Sequence, residues 1–297
     1  MSSKHLTASV IFWLFFVRPW VAPADSDEQA QLARYTSYRV AEPIRVDGKL
    51  DEIGWRLAPW SSPFVGLIDG ATAPLEYATR VAIVWDEDFL YLAFTIPEAH
   101  IRADLTTRDD RIYQENDVEF FIDGGDIYYE FEINARGTVY DVLWIWRDRF
   151  ESDHALHTSA WEVSGPDVFD DPPKSYLEPN RGGRLGFISW NFPGLQSAVH
   201  LEGTLNDDND LDVGWSVEVA LPWSGFGILA EDRSVPPSAG DTWRIDASRF
   251  EKRPEEQAHR GTTAGWSWNR HGQWDSHMPR TFPLIDFSAQ TLPASNP

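Results

Sequence analysis

Most of the residues able to do chemistry fall in two short stretches. In DVEFFID (117–123) and IYYEFEIN (127–134), acids alternate with aromatic and aliphatic side chains. In GWSWNRHGQW (265–274), Trp266, Trp268 and Trp274 stand among an asparagine, an arginine, a histidine and a glutamine. Successive side chains of an extended chain point to opposite faces. Val118, Phe120 and Ile122 therefore share one face, with Glu119, Phe121 and Asp123 on the other. On the next strand Tyr129, Phe131 and Ile133 oppose Tyr128, Glu130, Glu132 and Asn134. If the two strands pair, one face carries a run of carboxylates framed by aromatics. Neighbouring like charges repel. That face is expected to be a solvated exterior, to hold something positive or rich in hydroxyls, or to lie under arginines such as Arg108, Arg111 and Arg136. Carboxylates accept hydrogen bonds, and a sugar ring offers hydroxyl donors and flat C–H faces, so carboxylates beside indoles suit a saccharide.

Other chemistries have weaker footing. Asp208, Asp210 and Asp212 alternate in LNDDNDLDVGW (205–215), a turn that could hold calcium but lacks the spacing and the bidentate glutamate of an EF-hand. His154 and His157 form an i, i+3 pair in a stretch not expected to be helical, and the eight histidines make no zinc-type cluster. Glu130 and Glu132, two apart on one strand, would place their Cα atoms ~6.7 Å apart, a spacing compatible with a glycosidase pair but common to any acidic strand. No G-x-S-x-G, Walker or H-E-x-x-H motif is present. His277-Met278 keeps open a haem-binding reading through Met/His ligation, although adjacent strand residues point apart. No other organic cofactor is expected.

These residues need a scaffold, and its pattern is β. In VAIVWDEDFLYLAFTI (81–96), Val81, Ile83 and Trp85 share a face, as do Leu90, Leu92, Phe94 and Ile96, with Asp86–Asp88 as the turn of a hairpin. Further strands are expected at Val199–Leu205, Gly214–Leu221, Trp243–Phe250 and Thr281–Phe287, about ten in all. No long amphipathic helix is evident, so the expected fold is all-β, an antiparallel β-sandwich with long decorated loops. Trp55, Trp85, Trp215 and Trp243 are expected in its core. Residues 147–195, rich in proline, glycine and acids, read as a long loop or insertion.

Composition narrows the partners. The chain has 297 residues, fifteen tryptophans, no cysteine and a formal net charge of −22. The acidic excess disfavours nucleic acid and anionic membrane surfaces. Lys4 and His5 precede the apolar run Leu6–Val17, and Ala22 and Ala24 form an A-x-A arrangement. Residues 1–24 thus read as a signal peptide cleaved near Ala24, 25–39 as a lead-in and 40–290 as a single domain. A secreted or periplasmic protein, outside the membrane once mature, is expected; oligomeric state is open.

Several stretches also resemble a known family. IRVDGKLDEIGW (44–55), VAIVWDEDFLYLAFTI (81–96), RDDRIYQENDVEFFID (108–123), YYEFEINARGTVYD (128–141), DVGWSVEVALPW (212–223) and the closing WSWNRHGQWDSHMPRTF (266–282) are similar, in order, to family 9 carbohydrate-binding modules. The resemblance implies a β-sandwich that binds saccharides, with calcium in some members and two aromatics clamping a terminal sugar. By position those aromatics are Tyr113, where the family pattern has tryptophan, and Trp274, with Trp266 eight residues before it as a wall. Glu119 matches an acid of the site. Glu132 stands where an arginine is expected and His271 where an asparagine is. The first exchange reverses a charge and replaces donors with acceptors. The reading that results is a carbohydrate-binding protein using Tyr113, Glu119, Glu132, His271 and Trp274, in support of polysaccharide breakdown. A glycoside hydrolase or its associated domain, and a sandwich whose sugar site has decayed, are the alternatives.

Overall fold

A computed structural model of the protein describes residues 32–158, 161–165, 167–252 and 263–294. The expected signal peptide lies outside the described residues. Within them the chain forms β1 (Arg34–Val40), the short helix α1 (Ile53–Leu57), β2 (Val65–Gly66), β3 (Arg80–Trp85), β4 (Phe89–Pro97), β5 (Asp117–Asp123), β6 (Ile127–Ile133) and β7 (Val139–Trp146). Helix α2 (Arg147–Ser152) is followed by β8 (Val168–Asp171), β9 (Arg184–Phe187), β10 (Gln196–Glu202), β11 (Gly214–Pro222), β12 (Thr242–Lys252), β13 (Thr263–Ser267) and β14 (Leu284–Leu292). No helix among the described residues is long and apolar enough to cross a membrane.

The strands follow one path, β10-β11-β4-β3-β1-β14-β12-β5-β6-β7-β9-β8, with β13 pairing β12 and β2. The path doubles over, because a single core takes side chains from both of its halves. Val81, Ile83, Leu92, Phe94, Val217 and Val219 come from the β3–β4–β11 half, and Phe120, Ile122, Phe131, Ile133, Leu143 and Ile245 from the half containing β12, β5, β6 and β7. The result is the expected all-β, sandwich-like fold, and the expected β3–β4 hairpin is present, with Trp85 opposite Leu90. Trp55, Trp85, Trp215 and Trp243 are buried.

Three features depart from expectation. The sheet is mixed, since β1 runs parallel to both β14 and β3. β1 begins within the stretch taken as a lead-in, and its mixed polar sequence RYTSYRV gives little strand signal. Residues 147–195 are also partly regular: β8 and β9 extend the sheet beyond β7. A helix, α2, and a 3₁₀ turn at His154–Leu156 occupy the stretch not expected to be helical.

Both outer faces of the sandwich are covered. On the β3–β4–β11 half, α1 lays Trp55 over Ala82, Val84, Tyr91, Ala93 and Ala220. On the other, Phe121, Tyr128, Tyr140, Val142, Trp144 and Trp146 pack with Ile112 and Phe282 from flanking segments. This second covering layer has an opening, and the acidic residues line it.

Candidate functional site

Strand register brings the carboxylates together. Glu119 on β5 lies directly opposite Glu132 on β6, and Glu130 is two residues from Glu132 on the same face. One carboxylate oxygen from each of the three lies within 4.8 Å of the other two. They form the floor of a cavity of about 600 Å³, within the range of small-molecule sites. The floor is not a solvated exterior: all three glutamates are buried, with Glu119 only 3% exposed. The covering segments that bury them come from distant parts of the chain.

Nor do the anticipated arginines cover them. Arg108 pairs with Asp141, Arg111 lies over the Phe169 ring, and Arg136 donates to the Ala103 carbonyl at 3.1 Å. Arg111 therefore reaches the cavity wall, since Phe169 lines it, but none of the three pairs with a glutamate of the floor.

One wall is aromatic. Trp144 is stacked between Tyr128 and Phe169, with ring centroids 5.9 Å apart on each side. Its ring lies over Gly186 on β9, where a Cβ would come within 2.7 Å of the indole. The indole Nε1 donates to Glu130 Oε2 at 2.7 Å. His277 supplies the second contact to that carboxylate, Nε2 lying 3.2 Å from Oε1, while its Nδ1 is 3.3 Å from the Tyr128 hydroxyl.

The permanent cations in the lining have partners already. Lys174 Nζ is 2.9 Å from Asp275 and 3.2 Å from Asp171, and Arg184 is 2.6 Å from Asp171. Two cations thus balance Asp171 and Asp275, Asp170 pairs with Arg147, and the three glutamates face the cavity with His277 as their one basic neighbour. Glu119 Oε1 and Glu132 Oε2 are buried without a hydrogen-bond partner. Burial, followed by repulsion from neighbouring carboxylates, pushes the Glu119 and Glu132 carboxyls well above the ordinary range. Glu130 differs. Burial opposes its ionisation too, but the charge of His277 and hydrogen bonds from His277, Trp144 and Glu132 outweigh it and hold its pKa below the usual value.

The rim carries the two aromatics singled out from the sequence. Tyr113, on a 3₁₀ turn before β5, is 36% exposed, and Trp274, in the loop after β13, is 51% exposed. Both line the cavity. Trp274 is held edge-on by Phe250, centroids 5.7 Å apart. Gly265 makes that possible, since a Cβ there would come within 2.7 Å of Phe250 and 2.9 Å of Trp274. The other two tryptophans of the segment turn inward. Trp266 stacks on Tyr77 and Trp268 packs edge-on to Tyr35.

Four of the residues anticipated from the sequence, Tyr113, Glu119, Glu132 and Trp274, therefore meet in one cavity, and His271 does not. It is buried, with Nε2 2.6 Å from Asp246 and Nδ1 2.8 Å from the Asp275 carbonyl, and so braces the loop carrying Trp274. Sequence reading missed Trp144, Phe169 and His277 as lining residues. Only the aromatic alternation of β7 hinted at the first.

The remaining candidates lie elsewhere. Asp212 accepts from the amides of Ile101 and Thr204, Asp208 pairs with Arg102, and Asp210 accepts from Thr204. Asp208 and Asp212 thus tie this turn to the segment at Ile101 and Arg102. Met278 is buried beside a His277 whose two ring nitrogens are both engaged, an arrangement that leaves neither aimed at a haem iron. His154 and His157 stack edge to face outside the cavity, with His157 held by the Phe150 carbonyl.

Residues 69–162 match the model of carbohydrate-binding family 9. That stretch includes β3 to β7, and with them Tyr113 and all three glutamates of the floor; Trp274 lies beyond it. A solved candidate carbohydrate-binding protein of Bacteroides uniformis shares the fold, with a TM-score of 0.55 at 17% identity over 86% of this chain and 99% of its own. A family 9 carbohydrate-binding module of Caldicellulosiruptor kristjanssonii, solved with cellotriose and with glucose, is similar at a TM-score of 0.48 and 13% identity, over 89% of this chain and 98% and 100% of its own. Among curated protein sequences none matches. The family resemblance read from the sequence is borne out.

Proposed function

We propose that the cavity floored by Glu119, Glu130 and Glu132 binds a saccharide. One observation carries the reading. Of the large hydrophobic residues left exposed among those described, two are aromatic, Tyr113 and Trp274, and both stand at this one opening. An exposed indole above a ring of acceptors matches a sugar, which stacks its C–H face on the ring and donates its hydroxyls below. The family match over residues 69–162 supports the same reading.

The roles divide by chemistry. Trp274 and Tyr113 serve as platforms. Glu119 Oε1 and Glu132 Oε2, which lack partners, accept hydroxyl hydrogens. Trp144 and His277 fix Glu130, so the floor keeps its shape when the cavity fills. Glu130 and Glu132 stand side by side on one strand, not across a cleft, and are assigned to binding and not to hydrolysis. The proposed setting is outside the cytoplasm, in the service of polysaccharide breakdown, on the strength of the Ala22/Ala24 segment.

Calorimetric titration with mono- and disaccharides tests the reading. Saturable binding that is lost in Trp274→Ala is expected. Binding that survives the substitution unchanged would place the sugar elsewhere.

A further inference from the structure

The floor gathers more carboxyl groups than a neutral sugar needs, and burial and mutual repulsion leave Glu119 and Glu132 holding their protons while the cavity is empty. Lys174 and Arg184 are matched by Asp171 and Asp275, so a cation entering the cavity meets three carboxyls opposed by His277 alone and would draw the protons off Glu119 and Glu132. Their oxygens lie within 4.8 Å of one another, and two oxygens of the set have no donor. Sugar hydroxyls could supply donors but not charge. We propose that the floor selects a sugar carrying a protonated amine, a hexosamine unit, over its neutral counterparts. The proposal rests on the saccharide reading and names the class of sugar.

Geometry favours an ammonium. A primary ammonium offers three donors in a tetrahedral arrangement. Charge-assisted bonds of ~2.8–2.9 Å to three acceptors would set those acceptors roughly 4.7 Å apart. That spread fits the limit observed between the three carboxylates. Glu119, Glu130 and Glu132 would each accept one bond, and Glu130 would keep Trp144 and His277, because a carboxylate has about four lone-pair sites. A calcium ion requires six to eight oxygens in close coordination. The three glutamates alone would not complete that shell and would need waters or further ligands to do so. The indole of Trp274 at the rim leaves a stacking surface for the rest of the ring.

The test compares three sugars on the full protein near neutral pH, in the presence of EDTA: D-glucosamine, D-glucose and N-acetyl-D-glucosamine. The acetyl group removes the charge and keeps the ring. Glucosamine is expected to bind at least about tenfold more tightly than either neutral sugar, a difference of about 1.4 kcal/mol. In Glu119→Gln/Glu132→Gln that advantage is expected to shrink towards parity. The wild-type comparison stands on its own should the variant fail to fold. Equal affinity for glucose and glucosamine would overturn the selection for charge and leave the saccharide reading intact. Glucosamine binding that appears only when EDTA is replaced by calcium would overturn it in favour of a metal floor. Failure of every sugar to bind would overturn the saccharide reading itself.

Discussion

The molecule buries two clusters of carboxylates, and they are built in opposite ways. At one end of the sandwich Glu98 and Glu251 are tied by Arg249, whose guanidinium lies 2.7 Å from Glu251 and 3.5 Å from Glu98. Asn116 donates to both acids at 2.8 and 3.0 Å, and the Trp215 indole donates to Glu98 at 2.7 Å. All four carboxylate oxygens have a partner. On the outer face of β5 and β6, three glutamates share a histidine and an indole, and two of their oxygens have no partner at all. Burying a polar group without a partner costs free energy. A cluster that closes on itself contributes to folding. One left open beneath a cavity costs stability, and the ligand recovers it.

The largest test of that contrast lies at the closed cluster. Arg249→Met leaves Glu98 and Glu251 buried without their counter-charge and is expected to cost about 3–5 kcal/mol in urea unfolding. A loss no larger than that of a surface substitution would erase the distinction between the clusters. Trp274→Ala should do the reverse. The side chain is half exposed, so stability is expected to change little. Saccharide affinity should fall by about 2 kcal/mol, roughly 30-fold, as for an aromatic anchor. Gly265→Ala acts on the same ring from behind: its Cβ displaces Phe250 and Trp274. A smaller affinity loss than that of Trp274→Ala is expected, and equal losses would mean that Trp274 tolerates no displacement.

The open cluster should gain stability when one of its acids is made permanently neutral. Glu132→Gln is expected to stabilise the free protein by about 1 kcal/mol, the scale of relieving a conflict held at a functional site. Its pH dependence is the finer check. The Glu119 and Glu132 carboxyls are raised by burial and by their neighbours, so the folded protein keeps protons that the unfolded chain has released. Their contribution is complete below the ordinary glutamate value of 4.5 and is lost as pH rises through the raised folded values. Stability should therefore fall with rising pH across that window, and Glu119→Gln/Glu132→Gln should flatten the fall. Glu251 and Glu218, each pushed up to about 7 by burial, leave a residual slope of the same sign. A slope unchanged in the double variant would show that other titrating groups, and not the Glu119 and Glu132 carboxyls, set the response.

Much of this was legible in the sequence because it is local. The alternation in 117–134 placed Glu119, Glu130 and Glu132 on one face, and the scarcity of apolar neighbours around Trp274 marked it as a surface ring. What could not be read is what distant segments do. β1 pairs in parallel with β14 some two hundred and fifty residues away, as in Arg34 opposite Leu284, and no local pattern encodes that. β8 and β9 are four-residue strands in a proline- and glycine-rich stretch, yet they carry Phe169 and Arg184 into the cavity wall. His271 looked like a site residue because the family resemblance sets a site asparagine at its position. Its buried partner Asp246, on β12, makes it a brace instead.

The central claim is that a saccharide sits in this cavity under Trp274, and tryptophan indole NMR reads it most directly. With the Trp274 resonance assigned from Trp274→Phe, a bound saccharide is expected to shift the Nε1–H signals of Trp274 and of Trp144, which contacts Glu130. The core indoles of Trp215 and Trp243 should stay in place. Saturable shifts of the first pair alone would support the account. Shifts confined to other tryptophans, or none with any sugar, would contradict it.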